Sequence, residues 1–273
     1  MHVLDQEMRT FHRMIGATVN RFWSSILIAS LVGLCVVRVA DAEKFLRLEN
    51  RDHVQLNKTR GFLNLNGTFT IESWVRWDDS RSKVTSLFSD DHAPGDPNSA
   101  VRELCGWILR VSPIEDARFR YLELVLAGAP PGKRSTQWNI LKVKIPALPV
   151  GEPSPWHHIA ICKTPQLIVL FLDGKPVGKA PCAGARFAMS PSDLFFGVRP
   201  GVLESRKVFA DYRAFRIVDR IVYKRAFKPQ ANLPKQGRTI LELDFGQGAA
   251  GVIPDIAGGN HSGVISGGTW HDD

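Results

Sequence analysis

The chain has 273 residues and a hydrophobic fraction of 44%, which is ordinary for a globular protein with a buried core and leaves room for one large or two small domains. The formal net charge of +8 is compatible with attraction to an anionic polysaccharide or an anionic envelope. The sequence has no basic arm and no nucleic-acid-binding motif, so we expect no nucleic-acid partner.

The first 42 residues predict a signal peptide. Arg21 precedes an almost unbroken apolar segment, residues 22–37, and Ala40-Asp41-Ala42 matches the small-residue pattern of a cleavage site. The apolar core is shorter than the roughly 20 residues of a membrane-spanning helix, and an uncleaved anchor is the alternative. We therefore expect a secreted or cell-envelope protein, which meets a membrane only if this segment is uncleaved.

The chain beyond residue 43 predicts a series of short β-strands. In residues 69–77, FTIESWVRW, apolar Phe69, Ile71 and Val75 alternate with more polar positions, which is typical of a half-buried strand. This strand carries Trp74 on its more polar face. Further candidates are residues 45–48, 54–56, 84–88, 106–111, 120–127 and 140–145.

The centre of the chain, residues 156–177, predicts a β-hairpin. Two apolar runs, residues 158–161 and 167–172, are separated by a Thr-Pro-Gln corner, and Asp173-Gly174 closes the second run. Asp-Gly between apolar runs is the strongest short hairpin signal. The second run is apolar on both faces, which predicts a central strand.

The remaining sequence extends the strand pattern to the C-terminal end. Strands are predicted at residues 193–198, 212–223, 241–245 and 263–265, with a single helical turn at 224–227. About a dozen short strands with frequent turn signals and no helical repeat predict an all-β fold, a two-sheet antiparallel β-sandwich. No linker divides the sequence, so we expect residues 43–273 to form a single domain.

The cysteines permit one disulfide in the exported chain. Cys35 would leave with the signal peptide, and Cys105, Cys162 and Cys182 would stay. In an oxidising compartment we expect a disulfide between Cys162 and Cys182, because they flank the central hairpin. The alternative is three buried thiols.

Four motifs in order carry a family resemblance. They are FTIESWV at 69–75, WHHIAI at 156–161, LIVLFLDGKPVG at 167–178 and FADYRAFRIVDRIVYKRAF at 209–227. Together they resemble the laminin G-like domains of the concanavalin A-like lectin/glucanase superfamily over about residues 43–229, which implies a jelly roll. Residues 243–270 resemble a segment that opens many such domains but closes this chain, as is possible when the first and last strands are neighbours.

The resemblance implies a choice between binding and catalysis. Members of the superfamily include glycan binders, adhesion modules and some polysaccharide hydrolases. We expect an exported, non-catalytic recognition module that binds carbohydrate or an extracellular or envelope protein. The alternatives are a glycan-active enzyme on the same fold and a purely structural envelope domain.

The candidate catalytic motif lacks one carboxylate. Glu242, Asp244 and Gln247 resemble the Glu-x-Asp-x-x-Glu strand of related endoglucanases, with Gln247 in place of the last carboxylate. A glycosidase needs two carboxyl groups flanking the scissile bond, and an amide cannot act as a general acid. We therefore predict no catalytic residue.

Calcium is the one candidate cofactor. The superfamily resemblance implies Ca²⁺ in some members, and Asp90, Asp91, Asp96 and Asn98 provide oxygen ligands in one loop region. No fixed ligand spacing accompanies them. A merely solvated acidic loop is the alternative.

Three residues are predicted to bind a ligand. Trp74 is the best candidate for an aromatic platform on the concave sheet face, and Arg213 and Arg216 belong to a basic region, residues 199–228, that suits an anionic glycan. The alternative is a solvated edge whose charges prevent strand pairing. His157 and His158 are expected to have structural or surface roles.

Overall fold

The computed structural model describes residues 43–78, 84–91, 104–112, 118–133, 137–148, 152–199 and 208–273. These residues form two antiparallel β-sheets with one hydrophobic core between them, which confirms the predicted all-β jelly-roll sandwich. The described residues contain no helix that is long and apolar enough to cross a membrane. The predicted signal peptide, residues 1–42, lies outside the described residues.

The first sheet contains the central hairpin and both ends of the described chain. Its strands are β1 (Lys44–Asn50), β3 (Phe69–Trp77), β8 (His157–Lys163), β9 (Leu167–Leu172), β10 (Lys175–Pro181), β13 (Val208–Val218), β14 (Thr239–Asp244) and β17 (Thr269–Asp272). They are ordered β10-β9-β8-β3-β13-β1-β17, and β14 pairs with the second half of β13.

The second sheet contains the intervening strands. They are β2 (His53–Leu56), β4 (Thr85–Ser89), β5 (Trp107–Val111), β6 (Phe119–Ala129), β7 (Gln137–Pro146), β11 (Arg186–Phe187), β12 (Phe195–Phe196), β15 (Val252–Ile253) and β16 (Gly263–Ser266). The order is β11-β6-β5-β4-β12-β2-β16-β15, and β7 pairs with β6.

The first and last strands are neighbours, as the position of the C-terminal segment required. β17 pairs with β1 so that Phe45 lies opposite His271. A 3₁₀ turn, Phe245–Gln247, precedes this return, and its Phe245 is fully buried in the core. The last segment therefore adds β17 beside β1 in the first sheet and β16 beside β2 in the second.

The central hairpin has the predicted turn. Asp173 and Gly174 have φ angles of 51° and 74°, and positive φ at both central residues is typical of a type I′ turn, whose twist matches that of the flanking strands. β9 has the predicted bounds and lies between β8 and β10, so it is an internal strand next to the edge.

The core is centred on aromatic rings from both sheets. The Phe196 ring of the second sheet makes edge contacts with Phe215 and Tyr212 of the first sheet and with Phe245, at centroid distances of 4.9–5.6 Å. The Tyr212 hydroxyl donates to the Leu87 carbonyl at 2.7 Å, which satisfies this buried polar group. These contacts hold the two sheets together.

Two predictions for the region after β13 are wrong. The strand predicted at 212–223 ends at Val218, and residues 224–227 contain a bend at 224–225 instead of a helical turn. The rings of Tyr223 and Phe227 stack in parallel at 3.6 Å and pack beside Phe171 on the outer face of the first sheet. Burial of these two rings favours a segment that folds back over the sheet.

The structure also contradicts the predicted disulfide. Cys162 and Cys182 are free thiols, and they belong to different hydrophobic clusters. Cys162 packs with Ala160 and Phe171 on the outer face of the first sheet, whereas Cys182 lies in the main core. Because strand alternation directs Cys162 away from that core, flanking the hairpin does not bring the two sulfur atoms together.

Candidate functional site

The outer face of the first sheet has a covered half and an open half. Residues 219–237, here called the cover segment, lie over β3, β8 and the second half of β13. The Trp74 indole donates to the Gln230 carbonyl at 2.8 Å, the Arg216 guanidinium donates to the Pro234 carbonyl, and the Phe227 amide donates to the Gly174 carbonyl at 2.9 Å. These bonds attach the cover segment to three parts of the sheet.

A buried polar cluster lies under the cover segment. Arg216 lies directly opposite Glu72 in the register between β13 and β3, and both side chains are fully buried. Nε and Nη2 of Arg216 donate to Glu72 Oε1 at 2.9 and 2.5 Å. The Tyr223 hydroxyl donates to Glu72 Oε2 at 2.7 Å, and His158 Nε2 lies 3.2 Å from the same oxygen.

These contacts keep Glu72 ionised although it is buried. Burial alone raises the pKa of Glu72, but the hydrogen bond with His158, the charge of Arg216 and the hydrogen bond from Tyr223 together lower it below its usual value. Burial and the neighbouring Glu72 carboxylate raise the pKa of Tyr223. The cluster therefore contains a carboxylate, a guanidinium and a neutral phenol.

The predicted ligand-binding role of Arg216 is wrong for this fold, because its side chain has no exposed surface and its charge is paired with Glu72. Trp74 is half-buried, its indole N–H is bonded to the cover segment, and its ring makes an edge contact with His158 at 5.3 Å. Both residues attach the cover segment to the sheet. His157 stacks on Trp77 at 4.7 Å, so both histidines have the expected structural contacts.

The open half contains a row of charged side chains on three adjacent strands. The register of β1, β13 and β3 places Asp211 directly opposite both Arg47 and Arg76. Arg47 donates through Nε and Nη2 to the two Asp211 oxygens at 2.8 and 2.9 Å, and Arg76 Nε donates to Oδ2 at 2.5 Å. The bidentate contact fixes the plane of the Arg47 guanidinium, and Arg76 is held by single hydrogen bonds to Asp211 and Asp273.

Aromatic rings border this charged row. The Arg76 guanidinium lies 4.5 Å from the Phe45 ring centroid and 4.7 Å from that of Trp156. The Arg213 guanidinium also contacts Trp156, at 4.2 Å from the ring centroid. Contact with aromatic faces adds cation–π attraction and limits the motion of both arginines.

Arg213 is the predicted ligand-binding residue that borders the open half. It lies where the register between β13 and β3 shifts by one residue, and it forms ion pairs with Glu43 and Asp273, each at 2.6 Å. Its side chain is largely buried by these contacts and by Trp156. Arg213 therefore supports the aromatic border of the open half.

A cleft of about 190 Å³ lies in the open half, and we call it the arginine cleft. The outward-facing residues that line it are Arg47, Glu49, Arg76, Asp78, Phe209 and Asp211, with Pro153 at one side. Within the described part of the chain, Nη1 of Arg47 and Nη2 of Arg76 have no hydrogen-bond partner. The cleft thus combines fixed carboxylate acceptors with unused N–H donors.

The sequence did not single out Arg47, Arg76 or Asp211. Alternation along residues 45–48 and 69–77 places the two arginines at outward positions, which is a usable signal for exposure. The pairing of both with Asp211 depends on a register between segments separated by more than a hundred residues.

Two of the four predicted calcium ligands lie in the described residues. Asp90 accepts a hydrogen bond from the Trp107 amide at 2.9 Å, and burial raises its pKa to about 8. Asp91 is fully buried and forms an ion pair with Arg199. Asp96 and Asn98 lie outside the described residues, and within those residues no group of three or more His, Cys, Asp or Glu side chains is arranged to hold a metal.

The residues of the candidate catalytic motif stabilise the 3₁₀ turn that follows β14. Asp244 accepts from the Gly246 amide at 2.9 Å and from the Gln247 amide side chain at 2.6 Å. Burial raises the pKa of Glu242, and the nearby Arg216 charge opposes that rise. Asp244 thus caps the 3₁₀ turn, and Gln247 is its hydrogen-bond donor.

A family model described as the concanavalin A-like lectin/glucanases superfamily, of laminin G type, matches residues 48–230. The chain belongs to this superfamily. The match confirms the resemblance that the four motifs carried. No curated protein sequence matches the chain.

Several solved structures are similar to this laminin G-like chain in fold. A native heptameric SAP-like pentraxin from Limulus polyphemus is 12% identical with a TM-score of 0.42, and the match covers 67% of this chain and 78% of the pentraxin chain. The receptor-binding domain of botulinum neurotoxin D is 11% identical with a TM-score of 0.43, covering 66% of this chain and 41% of the toxin chain.

The ligand-binding domain of botulinum neurotoxin serotype D, in complex with N-acetylneuraminic acid, is 11% identical with a TM-score of 0.40 and covers 66% of this chain. The laminin G-like chain matches about 40% of the length of these toxin chains. Similarities this distant carry no argument about its ligand.

Proposed function

We propose that this laminin G-like chain is an exported, non-catalytic recognition domain that binds carbohydrate in the arginine cleft. One observation carries the proposal: Arg47 and Arg76 are fixed by Asp211 at an open sheet face, with N–H groups left over for a ligand. Export rests on the predicted signal peptide at residues 1–42.

The chemistry of the cleft suits sugar hydroxyl groups. A hydroxyl both donates and accepts, so one ring can accept from an arginine N–H and donate to a carboxylate oxygen of Glu49 or Asp211. Because Asp211 already orients both guanidinium groups, little side-chain entropy is lost on binding. The arginine and carboxylate charges largely offset each other, which favours a polar ligand over a strongly ionic one.

We propose a non-catalytic domain because the motif that resembles an endoglucanase strand forms hydrogen bonds within the turn that follows β14. Asp244 is bonded to Gly246 and Gln247, and Gln247 cannot donate a proton as a carboxylic acid does. Hydrolysis of a glycosidic bond, with inversion or with retention, needs a pair of carboxyl groups that flank the bond, and Gln247 replaces one member of that pair in this motif.

A glycan array probed with the exported chain tests the proposal. We expect selective glycan binding, at least tenfold weaker for Arg47→Gln, because one fixed donor is lost and Asp211 loses a bidentate partner. Arg51→Gln is the matched control, since Arg51 is exposed in the turn that follows β1.

Three outcomes would overturn the proposal. A folded chain that binds no glycan but captures an envelope protein would support the protein-partner alternative. Binding that Arg47→Gln leaves unchanged would place the glycan elsewhere. Release of oligosaccharide during incubation with the bound glycan would show an enzyme.

A further inference from the structure

A second and larger cavity lies at the side of the sandwich where an edge of each sheet is exposed. Among the described strands, β7 pairs only with β6, and β10 pairs only with β9. A cavity of about 460 Å³ opens between these two edges, and we call it the side cavity. Ligand pockets in proteins typically measure about 300–1,000 Å³.

The side cavity reaches the hydrophobic core. Its floor is formed by Leu126, Ile168 and Phe187, which all belong to the main core cluster and are at least nine-tenths buried. Proline residues form part of its walls, at positions 130, 131 and 181. Because proline fixes φ, these walls are already shaped in the absence of a ligand.

The mouth of the side cavity exposes apolar surface. Ile140 stands at the rim with 52% of its surface exposed, although it belongs to a regular strand. None of the described residues that line the cavity carries a charge. An ionic ligand would lose its hydration here without a counter-charge, so the cavity favours an uncharged, apolar molecule.

The polar side chain of Asn139 can orient a ligand in the cavity. Asn139 lines it and donates through Nδ2 to the carbonyl oxygens of Leu126, Gly128 and Gln137, at 3.2–3.4 Å. Three surrounding carbonyls fix the orientation of the amide, because the opposite orientation would bring oxygen against oxygen. The Oδ1 acceptor is left without a hydrogen-bond donor among the described residues.

We propose that the side cavity binds an uncharged, apolar small molecule whose hydroxyl group donates to Asn139 Oδ1. The apolar body would cover the core residues of the floor, and the hydroxyl would satisfy the Asn139 acceptor. This site is separate from the arginine cleft, since its lining comes from β6, β7, β9, β10, β11 and the turns that follow β6 and β10, and the two sites share no lining residue. It therefore does not depend on the proposed carbohydrate function.

Isothermal titration of the whole chain with two matched probes tests the proposal. 2-Naphthol has an aromatic body and a hydroxyl donor, whereas 2-methoxynaphthalene has a similar body without the donor. We expect saturable binding of 2-naphthol and about 2- to 10-fold weaker binding of 2-methoxynaphthalene, which corresponds to the loss of one hydrogen bond.

Substitutions then locate the probe. Ala183→Trp places a large ring at the mouth of the cavity and is expected to abolish 2-naphthol binding. Ile140→Asp is a second variant at an exposed rim position, where folding tolerates the change, and we expect at least tenfold weaker binding. Val264→Trp, at an exposed position on β16 outside the cavity, is the control and should bind normally.

Four results would overturn the proposal. They are no saturable binding up to the solubility limit of 2-naphthol, equal affinity for the two probes, and binding that neither Ala183→Trp nor Ile140→Asp weakens. The fourth is a native dimer that Ile140→Asp converts to a monomer, since a second copy of the chain would then cover the cavity.

Discussion

Replacement of Arg216 by Met is the sharpest test of the buried cluster under the cover segment. The substitution keeps the length of the aliphatic stem but removes the two hydrogen bonds to Glu72, at 2.9 and 2.5 Å, and the charge that compensates this fully buried carboxylate. It also removes the hydrogen bond from Arg216 to the Pro234 carbonyl of the cover segment. Breaking one side of a buried ion pair costs about 3–5 kcal/mol, because the other charge is left uncompensated. For a domain of this size we expect the Tm to fall by about 6–20 °C.

Urea unfolding followed by tryptophan fluorescence, together with calorimetry, measures this loss. Arg238→Met is the matched control, because its ion pair with Asp219 is 66% and 52% exposed, and exposed pairs contribute about 0–1 kcal/mol. In the double variant Glu72→Gln/Arg216→Met no charge is left unpaired, so we expect part of the stability to return.

The pH dependence provides an independent check on Glu72. Since its pKa is lowered in the folded state, its stabilising contribution is present above the unfolded pKa and is lost as the pH falls through the folded value. The gap between the wild type and Arg216→Met should be largest at neutral pH and narrow in acid. A loss below about 1 kcal/mol at pH 7 would refute the argument that an ionised Glu72 depends on Arg216.

Four further predictions concern other regions. Burial raises the pKa of Asp90 to about 8, so the folded state binds a proton that the unfolded state releases above about pH 4. As the pH rises from 4 to 8, the free energy of unfolding of the wild type should therefore fall relative to that of Asp90→Asn, by up to about 1.4 kcal/mol per pH unit, as measured by urea unfolding. Gly174→Ala should destabilise more than Gly132→Ala, because both have φ of 74° but only at Gly174 would a Cβ meet the cover segment, 2.0 Å from a carbonyl oxygen; equal losses would contradict this contact. Peptide mapping after alkylation of the unfolded, unreduced protein should find Cys162 and Cys182 both modified, and a linked peptide would contradict the free thiols. If residues 90–98 bind Ca²⁺, as the sequence predicts, chelation should lower the Tm by an amount set by the affinity, and an unchanged Tm would exclude a stabilising site.

The central hairpin was predictable because its cause is local. Asp173-Gly174 supplies two residues that tolerate positive φ, and the apolar runs beside it are adjacent in sequence. The same holds for β3, whose alternation is visible in nine consecutive residues. Periodicity and turn chemistry thus indicate strands without knowledge of their partners.

The arginine cleft was not predictable in this way. Arg47, Arg76 and Asp211 come from three distant segments, and only the registers of β1, β13 and β3 place them in one row. In the sequence, each of the three is a charged residue at an outward strand position, and such positions are usually solvated. A shift of one residue in either pairing would separate them, because side chains alternate between faces.

The sequence by itself determined the strand-rich fold, the hairpin turn and the superfamily, because these depend on local periodicity, turn residues and short motifs. Only the tertiary structure decided that Arg216 and Trp74 lie beneath the cover segment while Arg47 and Arg76 line a cleft in the open half. The physical reason is that the alternation of apolar and polar residues along a strand indicates only which side chains point away from the core. Whether another segment then packs over them depends on long-range burial, here of Tyr223 and Phe227 against the outer face of the first sheet.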